Sequence, residues 1–167
     1  MSTSNLRLFT RFQPPAWQTI ELSRLLANVC TDKRRQLASR SLTLDLELTE
    51  EISLYGDWQL ISQAIGNLID NAAEASQPGG RVIVSIESDS QSLKIHVQDE
   101  GPGIEIDAAQ RVCRPFFTTK PGSLGLGLAI VRQVAEAHGG QVRIANSRDA
   151  GAHMTLRLPR RQASQAA

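Results

Sequence analysis

WQLISQAIGNLIDNAAEAS, residues 58–76, is the stretch on which the reading of the fold turns. Wound as a helix, it places Gln63, Asn67, Asp70, Asn71 and Glu74 within a sector of about 100°. Ile61, Ile65, Leu68, Ile69 and Ala72 fall on the opposite side. A surface helix with a solvated polar face would show the same two-sidedness, so periodicity alone leaves that reading open. The choice of polar residues narrows it. Asn67 and Asn71 stand one turn apart, although Asn is a poor mid-helix former. An Asn side chain does offer a neutral carbonyl oxygen, which suits a hard cation such as Mg²⁺ lying beside other negative charge. Asp57, just after Gly56, is a plausible N-cap for this helix, and Pro78-Gly79-Gly80 stops it.

Outward from that helix, residues 81–88 and 93–98 alternate and are joined by a polar turn, the pattern of a hairpin. Residues 141–146 and 152–158 form a second hairpin. Residues 41–48 alternate strictly, Leu42, Leu44, Leu46 and Leu48 against Thr43, Asp45 and Glu47, as in a half-buried strand. Thr19 to about Leu37 reads as a helix with Ile20, Leu22, Leu25, Leu26 and Val29 on its apolar side. Another helix runs from about Gly127 to His138 and is closed by Gly139-Gly140. These elements predict an α+β two-layer sandwich, about three helices on a mixed, mostly antiparallel five-stranded sheet. Residues 1–12 read as a short amphipathic helix with Leu6, Phe9 and Phe12 on one side, stopped by Gln13-Pro14-Pro15. Residues 160–167 read as a loose tail.

The 167 residues suffice for one domain with a real core. Aromatics are only 4% of the chain, so that core must rest on Leu, Ile, Val and Ala. A formal net charge of +1 argues against a strongly basic nucleic-acid surface. Lys33-Arg34-Arg35 is the main basic run and reads as a solvated helix face. Cys30 and Cys113 lack metal-ligand or redox spacing, and a buried thiol is the expectation for Cys30. No apolar run approaches the roughly 20 residues of a membrane span, and Arg7 and Arg11 interrupt any signal-peptide pattern. A soluble domain of a reducing compartment is expected.

Three further segments carry chemistry. Asp99-Glu100-Gly101-Pro102-Gly103 ends an alternating strand; its glycines permit a tight turn, and its carboxylate suits an exocyclic amino group such as that of adenine. Ordinary turns also contain such a pattern. Gly125-Leu126-Gly127-Leu128 opens a helix, where free amides make an anion site. It matches neither the P-loop nor the dinucleotide fingerprint. Between them stands Arg114-Pro115-Phe116-Phe117-Thr118-Thr119-Lys120, where two Phe would anchor a long loop and Lys120 would reach a phosphate as a point charge. Each piece is equivocal alone; their order and spacing are specific.

In that order the chain resembles the GHKL ATPase superfamily (the Bergerat fold), and within it the catalytic domain of bacterial sensor histidine kinases. The N box is similar to Asn67-Leu68-Ile69-Asp70-Asn71-Ala72, the G1 box to residues 99–103, the F box to residues 115–120 and the G2 box to residues 125–128. His138-Gly139-Gly140 and the hairpin around Gly151 and Thr155 extend the resemblance to about residues 20–159. It implies ATP and Mg²⁺ as ligands. Asn71 would coordinate Mg²⁺, with Asn67 near the metal-bound water and the phosphates. Asp99 would accept the adenine amino hydrogen bond, and Thr155 would support a shared water. Gly101, Gly103 and Ile104 would shape the adenine wall. Phe117, Thr118, Thr119, Lys120 and the backbone of Gly125, Leu126, Gly127 and Leu128 would hold the nucleotide, with residues 104–124 as its lid. Asn67 and Lys120 are the catalytic candidates.

The resemblance also sets expectations about the reaction. Gyrase- and mismatch-repair-type relatives carry a Glu where Asn67 stands, as a general base for water; Asn cannot take a proton, so fast hydrolysis is not expected. Asp70-Asn71-Ala72 is nonetheless similar to that hydrolytic branch, and Glu74 stands where many kinases carry Lys. A histidine kinase transfers the γ-phosphate to a His in an H box, followed by an acidic residue and Pro-Leu, on a dimeric helical hairpin. His96, His138 and His153 all lack that context and read as surface or boundary residues. Residues 1–18 therefore resemble the end of the dimerisation helix and its linker, 19–159 the ATP-binding domain, and 160–167 a tail. The implied partners are the histidine-containing dimerisation domain of the same kinase and, indirectly, a response regulator. No nucleic acid and no membrane contact by this segment are expected. A monomeric fragment of a homodimeric kinase, cytoplasmic whether or not the whole protein is anchored in the inner membrane, completes the expectation. The alternatives are a hydrolytic GHKL ATPase, an anti-sigma-type serine kinase, and a non-catalytic nucleotide-binding or docking module.

Overall fold

A computed structural model describes residues 14–101, 127–146 and 151–160. The helix expected over residues 1–12, the loop over 104–124, Cys113 and residues 161–167 lie outside them.

The chain runs β1 (Gln18–Glu21), α1 (Leu22–Ala38), β2 (Thr43–Glu47), β3 (Ser53–Gly56), α2 (Trp58–Ala75), β4 (Arg81–Ser88), β5 (Ser92–Gln98), α3 (Gly127–Ala137), β6 (Gln141–Asn146) and β7 (Ala152–Pro159). Five strands form one sheet in the order β2-β4-β5-β7-β6. The β2–β4 pair is parallel, because the chain crosses through β3 and α2 between them, and the other pairs are antiparallel. One face of the sheet buries Val82, Val84, Leu93, Ile95, Val97, Met154, Leu156 and Leu158 against the three helices, which is the expected two-layer sandwich. Strand alternation assigns each of these residues to that face and its neighbours in sequence to the other.

Two expectations near the N-terminus need correction. Thr19, Ile20 and Glu21 belong to a strand and not to the helix, which starts at Leu22. Ile20 and Leu22 are buried in either geometry, so the apolar pattern does not discriminate; pairing of β1 with β3 decides it, with Ile20 opposite Leu54. That pairing also makes a second, two-stranded sheet that the sequence did not announce. Leu48 lies beyond the end of β2 and is 37% exposed, so the strict alternation of residues 41–48 overran the strand. The basic run of α1 is largely the solvated face expected, with Arg34 and Arg35 exposed, but two of its side chains are engaged. Lys33 Nζ reaches both carboxylate oxygens of Asp70 at 2.8 and 2.9 Å, and Arg34 Nε donates to the Leu44 carbonyl at 3.0 Å. Cys30 is buried as expected, and burial pushes its thiol up to about 11.

Helix α2 begins as expected, with the Asp57 carboxylate accepting the Leu60 amide at 3.0 Å. Its other oxygen accepts the Ala16 amide at 2.7 Å, so one side chain both caps α2 and pins the segment entering the domain. The Asp57 amide donates to His138 Nε2 at 3.0 Å, and His138 Nδ1 lies 2.7 Å from the Val134 carbonyl. His138 is thus a buried member of the interior and not the boundary residue expected of it. With Nδ1–H donating to Val134, Nε2 is left as the acceptor that Asp57 needs. Trp17 closes this cluster, stacked on Tyr55 at 5.7 Å between ring centroids and edge-on to His138 at 5.2 Å. The start of α2 and the end of α3 are thereby tied together.

The far face of the sheet is polar. There His96 Nδ1 lies 2.9 Å from His153 Nε2 and 3.1 Å from Thr155 Oγ1, while His96 Nε2 lies 3.2 Å from Glu87. Arg160 is held as well, its amide donating to the Gln91 carbonyl at 2.8 Å, so the loose tail does not begin there.

Two expectations follow. Asp57→Ala removes a helix cap and a linker contact together, and should cost about 1–2 kcal/mol in urea unfolding with an unchanged slope. A midpoint equal to wild type would show that neither bond contributes. The second concerns pH. Burial, and then the neighbouring His96, hold the His153 ring below its ordinary value of 6.5. The unfolded chain therefore takes up this proton first as pH falls, so the stability is full above 6.5 and is lost as pH drops towards the folded value. His153→Gln should flatten that acid-side decline in unfolding midpoints; an identical decline in both proteins would rule the residue out as its source.

Candidate functional site

Asn67 and Asn71 sit one turn apart on α2, both half-buried, on the side facing the start of α3 and the sheet. Asn67 Nδ2 approaches the Gly127 carbonyl at 3.5 Å, and Asn71 Nδ2 donates to Met154 Sδ at 3.4 Å. Asp70 departs from the shared polar sector, since its carboxylate is turned to Lys33 on α1. The charge of the N box is therefore neutralised from the side away from the two asparagines. Gln63 is half-buried and Glu74 exposed, each with a partner of its own.

Asp99 follows the last residue of β5, and its amide continues the ladder to the Ala152 carbonyl at 3.1 Å. It is 1% exposed. One carboxylate oxygen, Oδ1, accepts the amides of Gly101 at 2.9 Å and Ala152 at 3.0 Å. The other, Oδ2, is buried with no hydrogen-bond partner among the described residues. A buried carboxylate oxygen without a donor is costly, and native structures rarely leave one so. The arrangement suits a donor brought from outside, such as the amino group of a purine.

Two glycines make this turn possible. A Cβ on Gly101 would overlap the Ala75 carbonyl oxygen at the end of α2. Gly151 has φ +79°, and a Cβ there would collide with the Asp99 carbonyl oxygen. Asp99 is thus wedged between the end of α2 and the start of β7 by residues without side chains. Ala152 is the contributor that sequence reasoning missed. It acts through its backbone amide, which leaves no signature in residue type.

At the start of α3, Gly127 is partly exposed, and a Cβ there would meet nothing within 4 Å among the described residues. Leu128 turns its side chain into the core, so only its backbone is available to a ligand. Amides at a helix start, beside open space, suit an anion. The structure thus gathers Asn67, Asn71, Asp99, Gly101, Gly127 and Leu128 around the ends of α2, β5 and α3. Gly103, Ile104, Phe117, Thr118, Thr119, Lys120, Gly125 and Leu126 lie outside the described residues.

Thr155 is a correction. Alternation along β7 puts Met154 and Leu156 on the helix side, and Thr155 on the far face opposite His96 in register. Its hydroxyl is engaged there at 3.1 Å with His96 Nδ1. Asp99 continues the alternation of Ile95 and Val97 and is buried on the helix side, so the sheet separates the two residues. A water shared between them, expected from the resemblance, does not fit this placement.

Among the described residues no three or more His, Cys, Asp or Glu stand together as a metal-binding group. A cation at this site would have to rely on amide oxygens of Asn and on the charge of its ligand, a donor set that fits Mg²⁺ with phosphates. No helix among the described residues is long and apolar enough to cross a membrane.

Residues 56–162 match the family model described as histidine kinase-, DNA gyrase B-, and HSP90-like ATPase. The chain is similar to the signal transduction histidine-protein kinase AtoS of Escherichia coli K12, with 32% identity over 154 residues, covering 90% of this chain and 25% of AtoS. It is similar to the sensor protein TdiS of Thauera aromatica, with 39% identity over 105 residues, covering 59% of this chain and 19% of TdiS. Among solved structures, the mycobacterial sensor histidine kinase MprB superposes with a TM-score of 0.78 at 30% identity, covering 87% of this chain and 99% of that one. A nucleotide-free catalytic domain of the histidine kinase ThkA gives a TM-score of 0.80 at 25% identity, covering 86% and 95%. The chain spans about a fifth to a third of the length of the curated relatives, 19% for TdiS and 32% for a sensor histidine kinase ZraS of Escherichia coli.

Proposed function

Because the chain belongs to the histidine kinase-, DNA gyrase B-, and HSP90-like ATPase family, we propose that it is the ATP-binding catalytic domain of a sensor histidine kinase. In this reading it binds Mg-ATP and presents the γ-phosphate to a histidine on a separate dimerisation domain. The observation that carries the ATP site is the buried Oδ2 of Asp99, which has no hydrogen-bond partner among the described residues. Adenine offers an amino donor to that oxygen, where guanine offers a carbonyl. Gly101 and Gly151 supply the close approach that lets Asp99 hold this position.

The phosphate end of the site belongs to the α3 amides at Gly127 and Leu128, together with Lys120, Gly125 and Leu126. Gly103, Ile104, Phe117, Thr118 and Thr119 complete the wall and lid in this proposal. Asn71 is the Mg²⁺ ligand and Asn67 its neighbour near the phosphates. Mg²⁺ would neutralise charge on the phosphate oxygens as the phosphoryl group moves. The chain's own part is to bind and align. Asn67 has no proton-accepting role, so a water near the phosphates is not activated by it. That favours transfer to an imidazole over hydrolysis, and it separates this site from a hydrolytic ATPase.

The whole protein would supply a phosphoacceptor histidine on a dimeric hairpin, and a response regulator, as a separate partner, would receive the phosphate. A solved structure of ThkA in complex with the response regulator protein TrrA illustrates such a partner for that kinase.

The test uses labelled nucleotide and the kinase's own histidine-containing hairpin, added as a separate polypeptide. ATP should bind more tightly than GTP by about one to two decades, since guanine would leave two acceptors facing each other. The label should pass slowly to the hairpin as an acid-labile, base-stable phosphoramidate. The rate should be low because the tether that raises effective concentration to about the mM range is absent. Rapid phosphate release by the chain alone would point to the hydrolytic branch, and acid-stable label on a partner to a serine kinase. Equal affinity for ATP and GTP would reduce Asp99 to a turn residue.

A further inference from the structure

Helix α2 carries two acidic residues, Asp70 and Glu74, and no basic one. A cation that balances Asp70 has to come from another element, and it comes from α1. Lys33 Nζ lies 2.8 and 2.9 Å from the two oxygens of Asp70. The Lys33 side chain is only 18% exposed, and its stem crosses α2 at Gly66. Gly66 is buried, and a Cβ there would stand 3.3 Å from Lys33 Cε. Glycine is a poor residue for the middle of a helix. Here it leaves the room in which the lysine passes to reach Asp70, one turn further along the same side.

The place of Asp70 in the helix gives this pair a bearing on the site. Asp70 follows Asn67 by three residues, and residues three apart on a helix have Cβ atoms about 5–6 Å from one another. Its carboxylate therefore stands within roughly 10 Å of an anion held beside that asparagine. The Asp70 side chain is 45% exposed, so its charge acts on such an anion through a largely aqueous medium and not by contact. A bare carboxylate at that range repels a polyphosphate, whereas one paired at both oxygens with an ammonium exerts little net field.

We propose that Lys33 is a positioning residue for nucleotide binding: reaching across Gly66 from α1, it keeps the Asp70 carboxylate turned to α1 and cancels the charge that would repel the phosphates. The proposal rests on the reading of Asn67 and Asn71 as the phosphate and metal end of the site. Lys33 touches neither nucleotide nor metal in this account and acts only through Asp70. The mark of such a role is a dependence on ligand charge. Without Lys33, free ATP suffers more than ADP, and more than the Mg²⁺ complex, in which the metal already offsets part of the phosphate charge.

Lys33→Met keeps an unbranched stem over Gly66 and removes the charge. Lys33→Gln is a second neutral variant, and Lys33→Met combined with Asp70→Asn removes both charges. Nucleotide affinities of these proteins, of wild type and of Asn71→Ala are measured with chelator and with Mg²⁺, at low and high salt, alongside thermal unfolding. Whichever neutral Lys33 variant folds should bind metal-free ATP about threefold to tenfold more weakly at low salt, the scale of one charge acting on a polyanion at roughly 10 Å in water. The loss should be smaller for ADP and for Mg-ATP, shrink in high salt, and be restored by Asp70→Asn. A merely structural role would lower the unfolding temperature and weaken all three ligands alike, without rescue by Asp70→Asn; that result overturns the proposal. Unchanged binding of metal-free ATP by a folded Lys33 variant, with Asn71→Ala losing the gain that Mg²⁺ confers, overturns the role of Lys33 alone. Full retention of that gain by Asn71→Ala overturns the metal reading and the proposal with it.

Discussion

Helix α3 runs antiparallel to α2 and meets it at both of its ends, by the Asp57 amide on His138 Nε2 at one and by Asn67, midway along α2, near the Gly127 carbonyl at the other. The remaining functional geometry depends on this double tie. It sets the start of α3 beside the asparagines of α2. It also buries a histidine at the end of α3 where the cap of α2 needs an acceptor. Because Asp57 additionally holds Ala16, and Trp17 packs on Tyr55 and His138, the entering chain is fastened to the same point.

Charge within the site is arranged with similar economy. Asp70 stands between the two asparagines in sequence, yet Lys33 takes its carboxylate from the α1 side. What faces the start of α3 is then amide and not carboxylate, which suits an anionic ligand better than a second negative charge would. At the opposite end Asp99 spends one oxygen on the amides of Gly101 and Ala152, and so is held while its second oxygen has no partner among the described residues. Recognition by a fixed acceptor loses little entropy on binding, because the carboxylate is already in place.

Much of this was legible in the sequence. The period of residues 58–76, the cap at Asp57 and both hairpins carry strong local signals, and their elements stand where the sequence put them. The two-layer arrangement followed from element order alone. What escaped depends on contacts distant in sequence. Ile20 and Leu22 satisfy helix and strand alike, and only Leu54 across the β1–β3 pair decides between them. His138 is unremarkable in sequence until the backbone of Asp57 arrives to use its nitrogen. Ala152 contributes an amide, which every residue but proline owns. Thr155 went astray because a resemblance matched a residue type and not a face of the sheet; a shift of one position along a strand reverses the side.

The most direct measurement is a crystal structure of this chain with a non-hydrolysable ATP analogue and Mg²⁺. The account expects the adenine amino nitrogen within about 3.2 Å of Asp99 Oδ2, with the Asn71 amide oxygen turned to the metal. A nucleotide bound elsewhere, or an Asp99 Oδ2 paired with another group of the protein while adenine lies apart from it, would contradict the account at its centre.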